Sequence, residues 1–440
     1  MTSEGLYRSY GALLLGALVP IYTASHASIR VPKSVKKLWK QGGDKQRDAK
    51  SGSDEAEDED EEEEENEVDR LTAEDAYLFP ILGSCVLFGL FLAFRYLDKA
   101  LLNKILGGYL AIMGTGALVK ALGDLGKSVI GERRLQKFDK YRLRLDKNTE
   151  AQFKFSFTKL HVFAGIGAAV LTVSQQYTQH WVLSNTLALA FAYSAISVFY
   201  VDSFLTGSIL LGGLFFYDVW WVFGSKAVFG QQADVMVSVA KNFDAPIKIV
   251  FPKDLANAKD FTLLGLGDIV LPGSFLALAL RFDYHLAIKR AVAHSQNPPR
   301  PSRSFPKPYF RATFLAYVLG LATTIFVMHR FQAAQPALLY LSPACVGSVA
   351  LVSLIRGESA EVWKWEDGDE ERKAREEKEK KEGKEGKEKE KEKEKTAKDD
   401  SADQERIKDE GRSVEGPTVE TTSVEVDGGR VLRSRASKVL

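Results

Sequence analysis

Between Leu6 and Ile355 the chain keeps returning to runs of about 20 residues with almost no charge, the length a helix needs to cross a bilayer. A soluble core does not call for such a series of uncharged runs. The candidate spans are Leu6–Ala27, Tyr77–Leu97, Leu101–Leu122, Phe157–Gln175, Trp181–Tyr200, Ser203–Phe223, Phe261–Phe282, Phe310–Met328 and Pro336–Ile355. Whole-chain figures hide this pattern, with a net charge of +1 and a mean hydropathy of −0.14. Asp54–Glu65 is nearly pure acid and Glu366–Lys395 is a lysine–glutamate repeat, so the averages cancel. The expected fold is an all-α polytopic membrane protein of nine transmembrane helices. It divides into a first span at 1–28, a basic then acidic loop at 29–76, a core of eight spans at 77–356 and a charged tail at 357–440. The acidic loop and the tail cannot bury enough apolar surface to fold alone. The fifth and sixth spans are separated only by Val201 and Asp202, which predicts a tight antiparallel pair. Cys85 and Cys345 lie inside apolar spans and read as small buried hydrophobes.

Lys and Arg crowd alternate connections: Arg30 to Arg70, Lys127 to Lys147, and Lys289 to Arg311. The connections between them are poor in positive charge or, at Gly224–Asp260, offset by aspartate. By the positive-inside rule the rich connections are cytosolic. The N-terminus then faces the lumen or exterior, and the C-terminal tail lies in the cytosol.

Two of the runs carry an aspartate as their one charge. Asp218 interrupts Ser203–Phe223 and Asp268 interrupts Phe261–Leu280. A carboxylate at membrane depth costs roughly 3 kcal/mol on insertion scales, so it marks function unless paired. Taken as helices of opposite direction, the two spans place Asp218 ~8 Å and Asp268 ~10 Å below the same surface. Close carboxylates share a proton rather than both ionising. The ionised one can take a proton from water while the protonated one polarises a carbonyl, which is the aspartic-protease arrangement. That chemistry requires no metal and no cofactor. Gly265 and Gly267 flank Leu266 just before Asp268, where they permit close approach of backbone or substrate. Pro272 would kink the span, and irregular backbone at membrane depth must line protein or a water-filled cavity. Pro336, within Gln335-Pro336-Ala337-Leu338, removes an amide donor and would leave upstream carbonyls free near the site.

At these residues the chain resembles the GxGD intramembrane aspartyl proteases, specifically the signal peptide peptidase family. The motifs are Tyr217-Asp218, Gly265-Leu266-Gly267-Asp268 and Gln335–Leu341, the last reading QPALLYL. The likeness extends to Phe79–Cys85, Tyr217–Gly224, Asn242–Pro252 and Leu280–Asp283, and covers most of Tyr77–Glu358. It implies nine spans, Asp218 and Asp268 as catalytic residues, and Tyr217, Gly265, Leu266, Gly267, Gln335, Pro336, Ala337 and Leu338 as their support. It also implies residence in the endoplasmic reticulum membrane. The substrates would be transmembrane segments of type II orientation, such as remnant signal peptides, with tail-anchored proteins as a further class. Quality-control partners and self-association fit the same picture; nothing points to nucleic acid. Presenilin, the other main branch, has the inverted orientation, whereas the Lys/Arg pattern here gives the signal peptide peptidase one.

Two other readings share some of these features. An ion-coupled transporter also uses buried acids and broken helices, but no inverted repeat is seen. A non-proteolytic quality-control scaffold would bind membrane segments without cutting them. Finally, alternation at Val235, Val237 and Val239 and at Ile247 and Ile249 predicts strands within Gln231–Pro252. Such a hairpin would offer an edge to an unwound substrate.

Overall fold

The computed structural model describes residues 3–41, 70–130, 140–147, 150–225, 228, 247–253, 260–301, 304–331 and 335–368. The acidic run Asp54–Glu65 and the strand expected at Val235–Val239 lie outside these residues. Ten of the helices matter below: α1 (Ser3–Ala27), α2 (Lys33–Gln41), α3 (Ala73–Tyr96), α4 (Lys99–Ile130), α5 (Lys159–Thr178), α6 (Trp181–Val198), α7 (Phe204–Val219), α8 (Gly267–Ala293), α9 (Pro308–Phe331) and α10 (Leu338–Arg356). A short α11 (Ser359–Lys364) follows.

The all-α membrane architecture is as expected, but the count of nine spans is not reproduced by length and apolarity. Seven helices among the described residues are long and apolar enough to cross a membrane: α3, α4, α6, α7 with its extension to Gly224, α8, α9 and α10. Helices stand at the first and fourth expected positions, α1 with 25 residues and α5 with 20. They fall short because α1 carries Glu4, Arg8 and a polar end at Thr23–His26, while α5 ends in Ser174-Gln175-Gln176. The fourth run also starts later than expected. Phe157 and Thr158 belong to strand β3 (Glu150–Thr158), which pairs antiparallel with β2 (Lys140–Lys147). Alternating Phe153, Phe155 and Phe157 have the period of a strand.

The hub is α8. Some 83% of its membrane-length window is buried, against 6% for α3 and 17% for α4. Helices α1, α6, α7, α9 and α10 all pack on it. The outer helices instead present Leu82, Val86, Ile105 and Ile112 outward, as surfaces facing lipid do. Cys85 is also exposed on α3, contrary to expectation, while Cys345 is buried in α10.

The fifth and sixth spans do not form a tight pair. Helices α6 and α7 both lean on α8 rather than along each other. Their connection is extended: β4 (Tyr200–Val201) pairs parallel with β1 (Arg70–Leu71), and Ser203 at φ −148° and ψ 162° caps α7 by accepting the Thr206 N–H at 3.2 Å. An extended linker of this length separates helix ends by ~13–16 Å, room for a third helix between them.

Contacts divide the chain into a compact unit at Met1–Asp369 and a second at Glu370–Leu440, which lies outside the described residues. The first unit thus includes Gly357–Gly368, read from sequence as the start of the charged tail.

Candidate active site

The largest departure from the sequence reading lies just before Asp268. Phe261–Gly265 is not the start of a helix but a strand, β6, antiparallel to β5 (Lys248–Pro252), with Ile249 opposite Leu264 and Val250 opposite Leu263. An uncharged run of Phe, Thr and Leu serves either conformation, and period alone does not separate them. The strand stops at Gly265, the Leu266 N–H adds one more rung by donating to the Ile247 carbonyl at 3.0 Å, and α8 begins at Gly267. Asp268 therefore sits in the first turn of α8 rather than well inside a span. The GxGD motif is a strand-to-helix junction, and a Cβ on Gly265 would stand 3.4 Å from the Asp268 carboxylate.

Asp218 lies near the end of α7 and is buried. Two residues later the helix widens into a π-helical turn at Trp220–Gly224. Tyr217 turns toward α3, with its ring against Gly83 and edge-on to Trp221. The Trp221 indole N–H donates to Ser84 at 3.2 Å, which ties this end of α7 to α3.

The Gln335–Leu338 motif opens α10, and the carbonyls expected to be left free upstream of Pro336 include those of residues 332–334, which lie outside the described residues. The Pro336 carbonyl accepts the Leu339 N–H at 3.3 Å, and the Ala337 carbonyl accepts those of Tyr340 and Leu341 at 3.1 Å. What faces the site is a donor: the Leu338 N–H reaches Asp218 Oδ2 at 3.2 Å. This N–H belongs to the first turn, whose amides have no partner within the helix, and a helix N-terminus favours a carboxylate. Pro336, Ala337 and Leu338 are buried and Gln335 is half-buried.

The Asp218 and Asp268 carboxylates are near enough to repel each other. The structure thus brings together Asp218, Asp268, Gly265 and the Leu338 amide, and keeps Tyr217 on the α3 side. Two further residues hold this arrangement and escaped the sequence reading. Tyr317 on α9 donates its hydroxyl to the Asp268 carbonyl at 3.2 Å. Asn185, buried in α6, pairs with both backbone groups of Val250: its Nδ2 donates to the carbonyl at 2.7 Å and its Oδ1 accepts the N–H at 2.9 Å. Each is a polar side chain within an apolar span, the same signal that marked the aspartates.

Among the described residues, no group of His, Cys, Asp and Glu is arranged to hold a metal ion. Replacing Asn185 by Leu would leave both Val250 groups unpaired, a loss of about 2–4 kcal/mol. Thermal unfolding of the purified protein measures it; an unchanged midpoint would show that the clamp does not hold β5.

A multi-pass α-helical membrane protein with two interacting carboxylates at interior helix ends is the class that fold and site define. The family model described as signal peptide peptidase matches residues 63–369. The signal peptide peptidase of Mus musculus is 37% identical over 377 residues, covering 84% of this chain and 85% of the relative. That of Homo sapiens is 36% identical over the same length, covering 84% and 86%. A probable intramembrane protease of Schizosaccharomyces pombe is 36% identical over 296 residues, covering 67% and 84%. The chain belongs to the signal peptide peptidase family of intramembrane proteases.

Proposed function

We propose that this chain is an aspartyl endopeptidase that hydrolyses peptide bonds within transmembrane segments, using Asp218 and Asp268 as a pair. The observation that carries the reading is their placement. The single charges of two apolar runs interact inside the bundle, and one is held by the first amide of α10. One carboxylate takes a proton from water as the oxygen attacks the peptide carbonyl. The other, protonated, donates to the carbonyl oxygen as it becomes tetrahedral. Collapse of that intermediate breaks the C–N bond and returns a proton to the leaving amine. No covalent enzyme intermediate forms, and neither metal nor cofactor enters.

A helical substrate must unwind before water can reach its carbonyl, and β6 offers somewhere to put the unwound chain. Directly opposed residues in an antiparallel pair point their backbone groups either toward each other or away. Asn185 takes both groups of Val250 from the side away from β6, so the groups of its opposite, Leu263, point away as well. Among the described residues no strand pairs with that outer edge of β6. Strand addition there would lay an extended substrate along the strand that ends at Asp268. The proposed docking edge is Phe261–Gly265, the partner of β5, which itself lies in the part of Gln231–Pro252 where Ile247 and Ile249 predict a strand. Replacing Leu263 by Pro removes an outward N–H without touching the β5–β6 ladder. Cleavage is expected to fall about tenfold or more, the scale of a lost main-chain bond and its geometry, while Leu263→Ala keeps most of it. Equal rates for both variants would sink the edge-docking reading.

The Lys/Arg distribution supports an N-terminus in the lumen or exterior and a cytosolic tail. Membership of the signal peptide peptidase family supports residence in the endoplasmic reticulum membrane and substrates of type II orientation such as remnant signal peptides. The deciding experiment is incubation of the purified protein in liposomes with a signal-peptide-derived transmembrane peptide. Products cut inside the apolar segment are expected. An intact peptide, under conditions where a relative cuts it, would overturn the assignment.

A further inference from the structure

After α10 ends at Gly357, in the left-handed conformation with φ 68°, the chain folds back onto the bundle. Val362 of α11 is fully buried. The Trp365 ring packs against Phe204 of α7 and against Phe282 and His285 of α8, with centroids 6.1, 5.1 and 5.7 Å away. The Asp367 N–H donates to the Asp202 carbonyl at 2.6 Å. Gly368 has φ 78°, and a Cβ there would overlap the Arg70 guanidinium, so both conformation and space call for glycine.

The centre of this contact is an ion pair inside the protein. Arg281 of α8 is 5% exposed, and its Nε lies 2.6 Å from Asp367 Oδ2. The same guanidinium reaches the Val201 carbonyl at 3.3 Å and Ser28 at 3.4 Å, and lies 4.7 Å over the Tyr200 ring. A buried cation without its counter-ion is strongly unfavourable, so Arg281 stays at this depth only while Asp367 is seated. Arg281 and Asp268 are on the same helix, about 20 Å apart at 1.5 Å per residue. Because α8 is buried along most of its length, a shift at one end is carried to the other.

We infer that Asp367 is a positioning residue for the catalytic pair: the segment Gly357–Gly368 is a strap that sets the height and rotation of α8 through Arg281, and thereby where Asp268 stands relative to Asp218. The effect on cleavage rests on the protease reading above; the effect on α8 does not.

The test compares the full-length protein with Asp367→Asn, Asp367→Glu and Glu361→Gln. Glu361 pairs with Lys289 on the exposed side of the same strap and serves as control. Each is assayed for peptide cleavage, for thermal unfolding and for hydrogen exchange at the backbone amides of Leu266–Val270. For Asp367→Asn, kcat is expected to fall about 10–100-fold, the penalty of ~1 Å misplacement, with KM within about twofold. Exchange at Leu266–Val270 is expected to rise about tenfold as the start of α8 loosens. Asp367→Glu recovers most of the rate, and Glu361→Gln behaves as wild type. If activity falls only in step with the folded fraction, or exchange rises only in the strap, the segment merely closes the core and the inference is wrong. It is equally wrong if Asp367→Asn matches wild type throughout. Should wild type itself cut nothing, the protease reading fails, and the exchange comparison alone decides whether Asp367 positions α8.

Discussion

Asparagine at position 218 or at position 268 is expected to reduce cleavage by about 10⁴-fold or more, because each carboxylate performs a proton transfer that the other cannot complete alone. The amide is nearly isosteric with the acid, and at position 218 it still offers an oxygen to the Leu338 N–H. Loss of activity with retained folding is therefore the expected pairing of results. Groups that act as a unit give non-additive losses, so the double variant should be no slower than either single one. That non-additivity distinguishes a shared proton device from two independent contributions, which would multiply. The measurement is product formation from a transmembrane peptide by wild type, Asp218→Asn, Asp268→Asn and the double variant, each checked for folding by thermal unfolding. Normal cleavage by either single variant would remove that residue from the mechanism. Retained binding of the peptide by both inactive variants would show that substrate capture is separate from cutting. This is what docking on the β6 edge requires, since that edge uses backbone groups.

The aspartates were legible in the sequence because lipid makes them conspicuous: a lone carboxylate in an uncharged run has few reasons to exist. The Gln335–Leu338 motif was legible as a site element, but the Leu338 N–H that reaches Asp218 was not, because a proline signals its own missing donor and says nothing of the amide two residues on. The strand before Asp268 was not legible. Phe261–Gly265 has no period that excludes helix, and its partner β5 lies across residues 254–259 with no signal to tie the two together. Asn185 and Tyr317 carried the same polar-in-apolar signal as the aspartates but are uncharged, so they stood out less. The strap was hidden by its neighbourhood. Trp365 directly precedes the long lysine–glutamate repeat and Asp367 lies at its start, and composition averaged over that stretch reads as solvated chain. The aromatic residues within it, Trp363 and Trp365, were the overlooked sign of a packed segment.

The bundle itself should fail at Gly273. This residue lies on α8 where α1 and α6 cross it, and a Cβ added there would stand 2.6 Å from Ile196 Cδ1 and 3.3 Å from Ile21 Cγ1. Both isoleucines are fully buried, so neither has free space to move into. Gly273→Ala is expected to destabilise by about 1 kcal/mol, overpacking of about 1–3 kcal/mol being partly offset by alanine's better helix propensity of about 1 kcal/mol. Gly273→Leu adds three more carbons at the same point and is expected to exceed about 3 kcal/mol. That is a large share of the stability a domain has, and it should leave little folded protein. The cause is tested by making room: Ile196→Ala in the Gly273→Leu background should recover folded protein, although Ile196→Ala alone opens a cavity and weakens the wild type by about 2–5 kcal/mol. Opposite signs for one substitution in two backgrounds are the mark of direct steric coupling. Should Ile196→Ala worsen Gly273→Leu as well, the glycine acts through backbone conformation and not through the closeness of α6 and α8. Because Gly273 is little more than one turn from Asp268, Gly273→Ala also tests activity. Cleavage should fall further than stability alone accounts for, since α8 must move away from α6 to admit the methyl group and takes Asp268 with it.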